Sequence, residues 1–242
     1  MEEPSQEFTY RIQKAAENTA DEAFVYIVEK SQKLVGTPKW QYYLELVTKF
    51  KGDARQGHHS SEIKIEELRE LAKLHDEFVP LSFPELPKGA LKTLENFVKR
   101  IGWDTVYQEI PFRSKDIEPG IKSNARCNFA TKTISIVPTA ENAYAFQLLA
   151  HELGHALMHE KELKLPKVQR EFEAESFSYI ICSSFGVYCE EFTTGHLALI
   201  GEVQQNIPHL KDSKRKVLSA SSFVISLLAE EIENGKEDNL IL

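Results

Sequence analysis

The sequence predicts an α+β protein in which a small β-sheet leads into a functional helix, with a helical region in front of both. Apolar residues recur at helical spacing over most of the chain, and the period shortens to two between residues 105 and 138. Directly after that change stands FQLLAHELGHALMHE, Phe146 to Glu160, with an H-E-x-x-H at its centre. At 242 residues, 42% hydrophobic and 27% charged, the chain is long enough for one or two domains and a sizeable core.

Phe24, Ile27, Val28 and Leu34 give residues 7–35 a helical apolar stripe, which Gly36-Thr37-Pro38 interrupts. Trp40, Tyr43, Leu44, Leu46, Val47 and Phe50 predict a second helix over 39–50. The stretch KGDARQGHHSS, Lys51 to Ser61, has no apolar residue larger than alanine and reads as a loop; His58 and His59 are its solvated histidines. A charged third helix over 62–78 runs into VPLSFPELPKG. Its Pro80, Pro84 and Pro87 mark a boundary between a helical N-terminal region, 1–78, and a site-bearing domain, 79–242.

Beyond the boundary, Leu91, Leu94, Phe97, Val98 and Ile101 predict a helix over 90–101. TVYQEIPF (105–112) and KTISIVP (132–138) have the β-branched and aromatic content of strands, and 126–130 is a further short one. Thr139 is the expected N-cap of the motif helix. A short connection, 161–167, returns the chain antiparallel through VQREFEAESFSYIICSSFG, which Gly186 should stop. Residues 192–232 read as largely helical, followed by a polar tail.

The balance of charge excludes some partners. Lys+Arg 29 against Asp+Glu 37 leaves a net charge of −8, so there is no basic field for nucleic acid, and LKDSKRK (210–216) reads as a solvated helix end. The acidic, polar start and the lack of an apolar run of about 18 residues predict no membrane partner and a cytoplasmic location. Cys127, Cys182 and Cys189 lack C-x-x-C spacing and are expected as reduced thiols.

His151 and His155 are four residues apart, about one turn, so both imidazoles can reach one Zn²⁺. Glu152 points about 100° round the helix, placed to take a proton from a metal-bound water as general base. Phe146, Leu149, Leu153 and Leu157 form the buried face beside the histidines, and Gly154 implies close approach of another backbone. A catalytic zinc takes three protein ligands, and the next helix offers Glu171, Glu173 and Glu175. Glu171 and Glu173 are about 200° apart and cannot serve one site. Glu171 has the advantage of Glu175 one turn on, where a carboxylate can hydrogen-bond a ligand histidine from outside the metal site; Glu173 and Glu175 remain open as ligands.

HELGHALMHE followed by REFEAESFSYIICSSFG resembles the ImmA/IrrE family of zinc metallopeptidases, and still more the metallopeptidase domain of ArdC-like antirestriction proteins of plasmids and integrative elements. Glu171, Glu173, Ala174, Glu175 and Phe177 stand on the family's E-x-E-A-E/N-x-F-A signature, with Ser178 where alanine is usual. The pair also resembles the E-F-x-A-D-x-F-A pattern of HtpX-type proteases, in which the first glutamate is the ligand, again favouring Glu171. The resemblance covers roughly 132–186. It implies a zincin-like, gluzincin fold, hydrolysis of peptide bonds, and a protein substrate of the helix-turn-helix repressor kind. KWQYYLELVTKF resembles the first helix of the ArdC-like DNA-binding domain, but KGDARQGHHSS replaces the continuation, which argues against DNA binding.

On this reading His151, His155 and Glu171 hold zinc, Glu175 supports them and Glu152 acts as base. Tyr179, Tyr188 and His196 are candidate oxyanion donors, His159 is a surface or supporting residue, and Thr133 to Val137 is an edge strand for an extended peptide. The rival reading is a non-proteolytic antirestriction or nucleic-acid-associated binding protein with a structural zinc.

Overall fold

A computed structural model describes residues 6–55, 65–78, 86–108, 124–138, 141–162, 164–201 and 210–233. Among these, the elements run α1 (Gln6–Val35), α2 (Pro38–Arg55), α3 (Ile65–Phe78), α4 (Ala90–Arg100), β1 (Asp104–Tyr107), β2 (Ala125–Asn128), β3 (Thr133–Ile136), α5 (Asn142–Met158), α6 (Lys167–Ser184), α7 (Glu190–Gly201) and α8 (Leu210–Glu233). The class is α+β, mostly helical with one small sheet. His58, His59, Pro80, Pro84, Thr139 and residues 109–112 lie outside the described residues.

In α1 the spacing of Ala20, Phe24, Ile27 and Val28 builds one face. That face is buried in the same core as Phe146, Leu149 and Leu153 of α5 and Phe172 and Phe177 of α6. The first helix of the N-terminal region therefore belongs to the core that carries the site. By contrast, Trp40, Tyr43, Leu44 and Leu46 of α2 gather with Leu74 of α3 and Ala198 of α7 in a separate cluster, where the Tyr43 hydroxyl lies 2.8 Å from His75 Nδ1. Helix α2 continues to Arg55, so Lys51 to Arg55 are helical rather than loop. Lysine, alanine and arginine are good helix formers and outweigh Gly52, which costs about 1 kcal/mol; lack of apolar residues removes packing, not helical propensity.

The sheet order is β1-β3-β2, with β1 parallel and β2 antiparallel to β3. Strand β3 is thus central, and Thr133 to Ile136 is no free edge for a peptide. The reason is pairing: β1 bonds to one side of β3 and β2 to the other, and Ile134 and Ile136 between them are fully buried. Among the described residues the edges are β1 and β2.

Helix α5 lies on β2 and β3, with Phe146, Leu149, Ala150 and Leu153 completely buried. Its N-cap is Glu141, without a side-chain cap, in place of the expected Thr139. Helix α6 crosses it in the opposite direction: Ser178 Oγ donates to the Gln147 carbonyl at 3.2 Å, while Glu171 faces His155. The crossing is close because position 154 has no Cβ. One added there would sit 3.0 Å from Phe177 Cδ1 and 3.2 Å from Ala174 Cα. Every residue from Phe172 to Cys182 is buried, so α6 is a central helix with no solvent face along that stretch. It ends in a Schellman turn, with Val187 N–H donating to the Cys182 carbonyl and Gly186 N–H to Ser183, at a Gly186 φ of 69°. No described helix is long and apolar enough to cross a membrane.

Candidate metal centre

The helical spacing of His151 and His155 turns both rings to the same side of α5, 4.9 Å apart between centroids. The antiparallel return of α6 brings Glu171 opposite them: its Oε2 lies 3.4 Å from His151 Nε2 and 3.6 Å from His155 Nε2. The three donor atoms lie within 4.8 Å of one another, a group that could hold a metal ion. A tetrahedral site with bonds of ~2.0–2.1 Å has edges of ~3.4 Å between ligand atoms, so the two contacts match its dimensions while exceeding good hydrogen bonds.

Both histidines are held from behind. His151 Nδ1 is 3.0 Å from Glu175 Oε2, and Glu175 is 2% exposed, so its carboxylate engages the imidazole away from the three converging donors. His196 Nδ1 stands 3.8 Å from the same oxygen, its ring stacked near Phe192. Burial works to raise the Glu175 carboxyl, yet the hydrogen bond from His151 and the nearby His196 imidazole hold it down at about 2. For Glu171, burial is likewise opposed by the His151 and His155 imidazoles, which keep it well below the usual carboxylate range. Burial works to lower His151, but the Glu171 and Glu175 carboxylates beside it win and raise it well above the ordinary histidine value.

Behind His155 the partner is His159, Nδ1 to Nδ1 at 2.9 Å. His159 is fully buried, which removes the surface alternative expected from sequence. Its Nε2 is 2.9 Å from Glu173 Oε2, so Glu173 is bound to His159 and reaches the back of His155 only through it. Glu173 in turn accepts from Ser213 Oγ at 2.7 Å and Gln169 Nε2 at 2.9 Å, and Lys216 Nζ stands 3.1 Å away. Burial raises this carboxyl and these donors, His159 first, bring it down to about 2. Burial keeps His159 below the ordinary histidine value despite Glu173.

Glu152, next to the first histidine, is felt as a charge by Cys127 of β2. Burial and then the charges of Glu152 and Glu160 push the Cys127 thiol of β2 up. Of the three oxyanion candidates, Tyr188 is 76% exposed and Tyr179 is buried beside Ser183 and Cys189; His196 alone stands at the site. The patch 210–216 is the start of α8 and is solvated at Lys211, Asp212 and Arg215, but not throughout. Lys214 pairs with Asp21 of α1 at 2.7 Å, and Lys216 reaches Glu162 and Glu173. Sequence reasoning missed the partnership of His159, Glu173, Ser213 and Lys216. The available signal was His159, one further turn along the face of His151 and His155.

No protein-family model matches the chain, and no solved structure matches it. An uncharacterized protein of Bacillus anthracis is 37% identical over 98 residues, which is 37% of this chain and 17% of the relative. The chain therefore spans under a fifth of that relative's length.

Proposed function

We propose that the chain is a zinc-dependent metallo-endopeptidase of zincin type, acting on a protein substrate. The observation that carries the reading is the convergence of His151 Nε2, His155 Nε2 and Glu171 Oε2 at tetrahedral spacing, beside a glutamate that is not one of the three. A bound zinc ion would supply a Lewis acid that polarises the scissile carbonyl and lowers the pKa of a water. His151, His155 and Glu171 would hold it, leaving a position open.

Glu152 would accept the proton of the attacking water and return it to the leaving amine. His196, whose Nδ1 stands 3.8 Å from Glu175, is the candidate to donate to the developing oxyanion. Among the described residues β2 is a sheet edge, and its Cys127 feels the Glu152 charge, so β2 is the edge on which an extended peptide would pair. The ImmA/IrrE resemblance makes a helix-turn-helix repressor the first substrate class to try.

The test is metal content of protein purified without added metal, beside two variants. The expected result is about one zinc per chain, lost in Glu171→Ala and retained in Glu152→Gln, with the latter losing hydrolysis by a factor on the order of 10² or more. Zinc retained in Glu171→Ala would move the third ligand elsewhere. Full function in Glu152→Gln would leave a binding protein with a structural metal.

A further inference from the structure

We infer that Glu173 is a positioning residue that acts through His159 to fix which nitrogen of His155 faces the metal site, and that helix α8 holds it there. The inference rests on the metal-site reading above and names what orients one of its ligands. Its basis is an unbroken buried chain of contacts. His155 Nδ1 to His159 Nδ1 is 2.9 Å, and His159 Nε2 to Glu173 Oε2 is 2.9 Å. Glu173 Oε1 then accepts from Ser213 at 2.7 Å and from Gln169 at 2.9 Å.

The direction of each hydrogen bond follows from what each group can do. A carboxylate only accepts, and every partner around Glu173 other than His159 is a donor: Ser213, Gln169 and the Lys216 ammonium. The nitrogen that His159 turns to it must therefore carry a proton. Lys216 already supplies the positive charge facing this carboxylate, so a neutral His159 satisfies the contact. Neutral His159 with its proton on Nε2 presents a bare Nδ1 to His155. Two imidazole nitrogens 2.9 Å apart share one proton, so His155 donates from Nδ1. Its Nε2 is then left with a lone pair directed at Glu171 and His151, as metal ligation demands.

The other histidine reaches the same state in one step, from Glu175 directly. The two supports differ in what they depend on. Glu175 lies on α6 and serves His151 from there, whereas the support of His155 runs from α5 through α6 to α8. Loss of the carboxylate charge breaks it specifically. A glutamine at 173 has one NH₂ and one oxygen facing donors on both sides, so one end meets a donor whichever way it turns.

The test uses the full chain and zinc itself as probe. Affinity is read by competition with a chromogenic chelator, and imidazole tautomers by long-range ¹H–¹⁵N spectra of the metal-free protein. The expected tautomers are Nδ1–H at His155 and Nε2–H at His159. Glu173→Gln and His159→Leu should each weaken zinc about 10- to 100-fold. His159→Gln, which keeps one acceptor and one donor, should retain most of the affinity. An Nε2–H tautomer at His155 in the unsubstituted protein would overturn the inference, and that reading requires no variant to fold. Native affinity in folded His159→Leu and Glu173→Gln, with zinc lost in Glu171→Ala, would remove the positioning role alone. An unsubstituted protein that binds no zinc would remove the metal site and this inference with it.

Discussion

Glu171, Glu173 and Glu175 lie within five residues of α6 and meet three different sets of neighbours. Glu171 faces both Nε2 atoms, Glu175 takes the back of His151, and Glu173 takes His159 and α8. The 100° step of a helix separates the first two from the third, and that much was legible in the spacing. What was not legible was that the far side of α6 also leads to the site, because His159 carries the path back to His155. Conversion of Glu175→Gln should weaken zinc binding about 10- to 100-fold without abolishing it, since His151 keeps its place but loses the acceptor that fixes its tautomer. Zinc competition checks this against Glu171→Ala, where binding should vanish.

At the scale of elements, the crossing of α5 and α6 sets the distance between the histidines and the carboxylate. Gly154 permits it, as the isolated glycine in an otherwise apolar helical pattern implied. Gly154→Ala should destabilise the fold by about 1–3 kcal/mol, the clash with the Ala174 backbone outweighing alanine's better helix propensity; urea unfolding measures it. The helices were legible where apolar periodicity was strong, as in α4 and α5. Two features were hidden for identifiable reasons. Lys51 to Arg55 extend α2 with no apolar signal to announce it, and a four-residue strand such as Thr133–Ile136 carries no mark of whether it has one neighbour or two. Its central place follows from pairings with two strands that both precede it in the chain, which periodicity does not report.

At the scale of the whole molecule, α1 is built into the core of the site-bearing helices. Phe24 packs edge-on against Phe172 with ring centroids 6.1 Å apart, and Lys214 of α8 pairs with Asp21. Composition placed a boundary near the prolines at 80–87, but composition cannot see which core a helix fills. A fragment of residues 79–242 should therefore fail to fold cooperatively, and Phe24→Ala in the full chain should cost about 3–5 kcal/mol; circular dichroism during thermal unfolding checks both. A 79–242 fragment with a sharp, native-like transition would show that α1 is dispensable.

The path from Glu173 to α8 also has a bearing on the order in which the chain is made. Ser213 follows Glu173 by 40 residues, so at ~5–20 residues per second it is polymerised about 2–8 s later. Until then Glu173 lacks the Ser213 and Lys216 donors that let it be buried, and a carboxylate sequestered with too few partners costs several kcal/mol. The Glu173 side of the α5–α6 pair is therefore expected to complete its burial only after α8 has been made, whereas His151, His155 and Glu171 all lie on elements made before it.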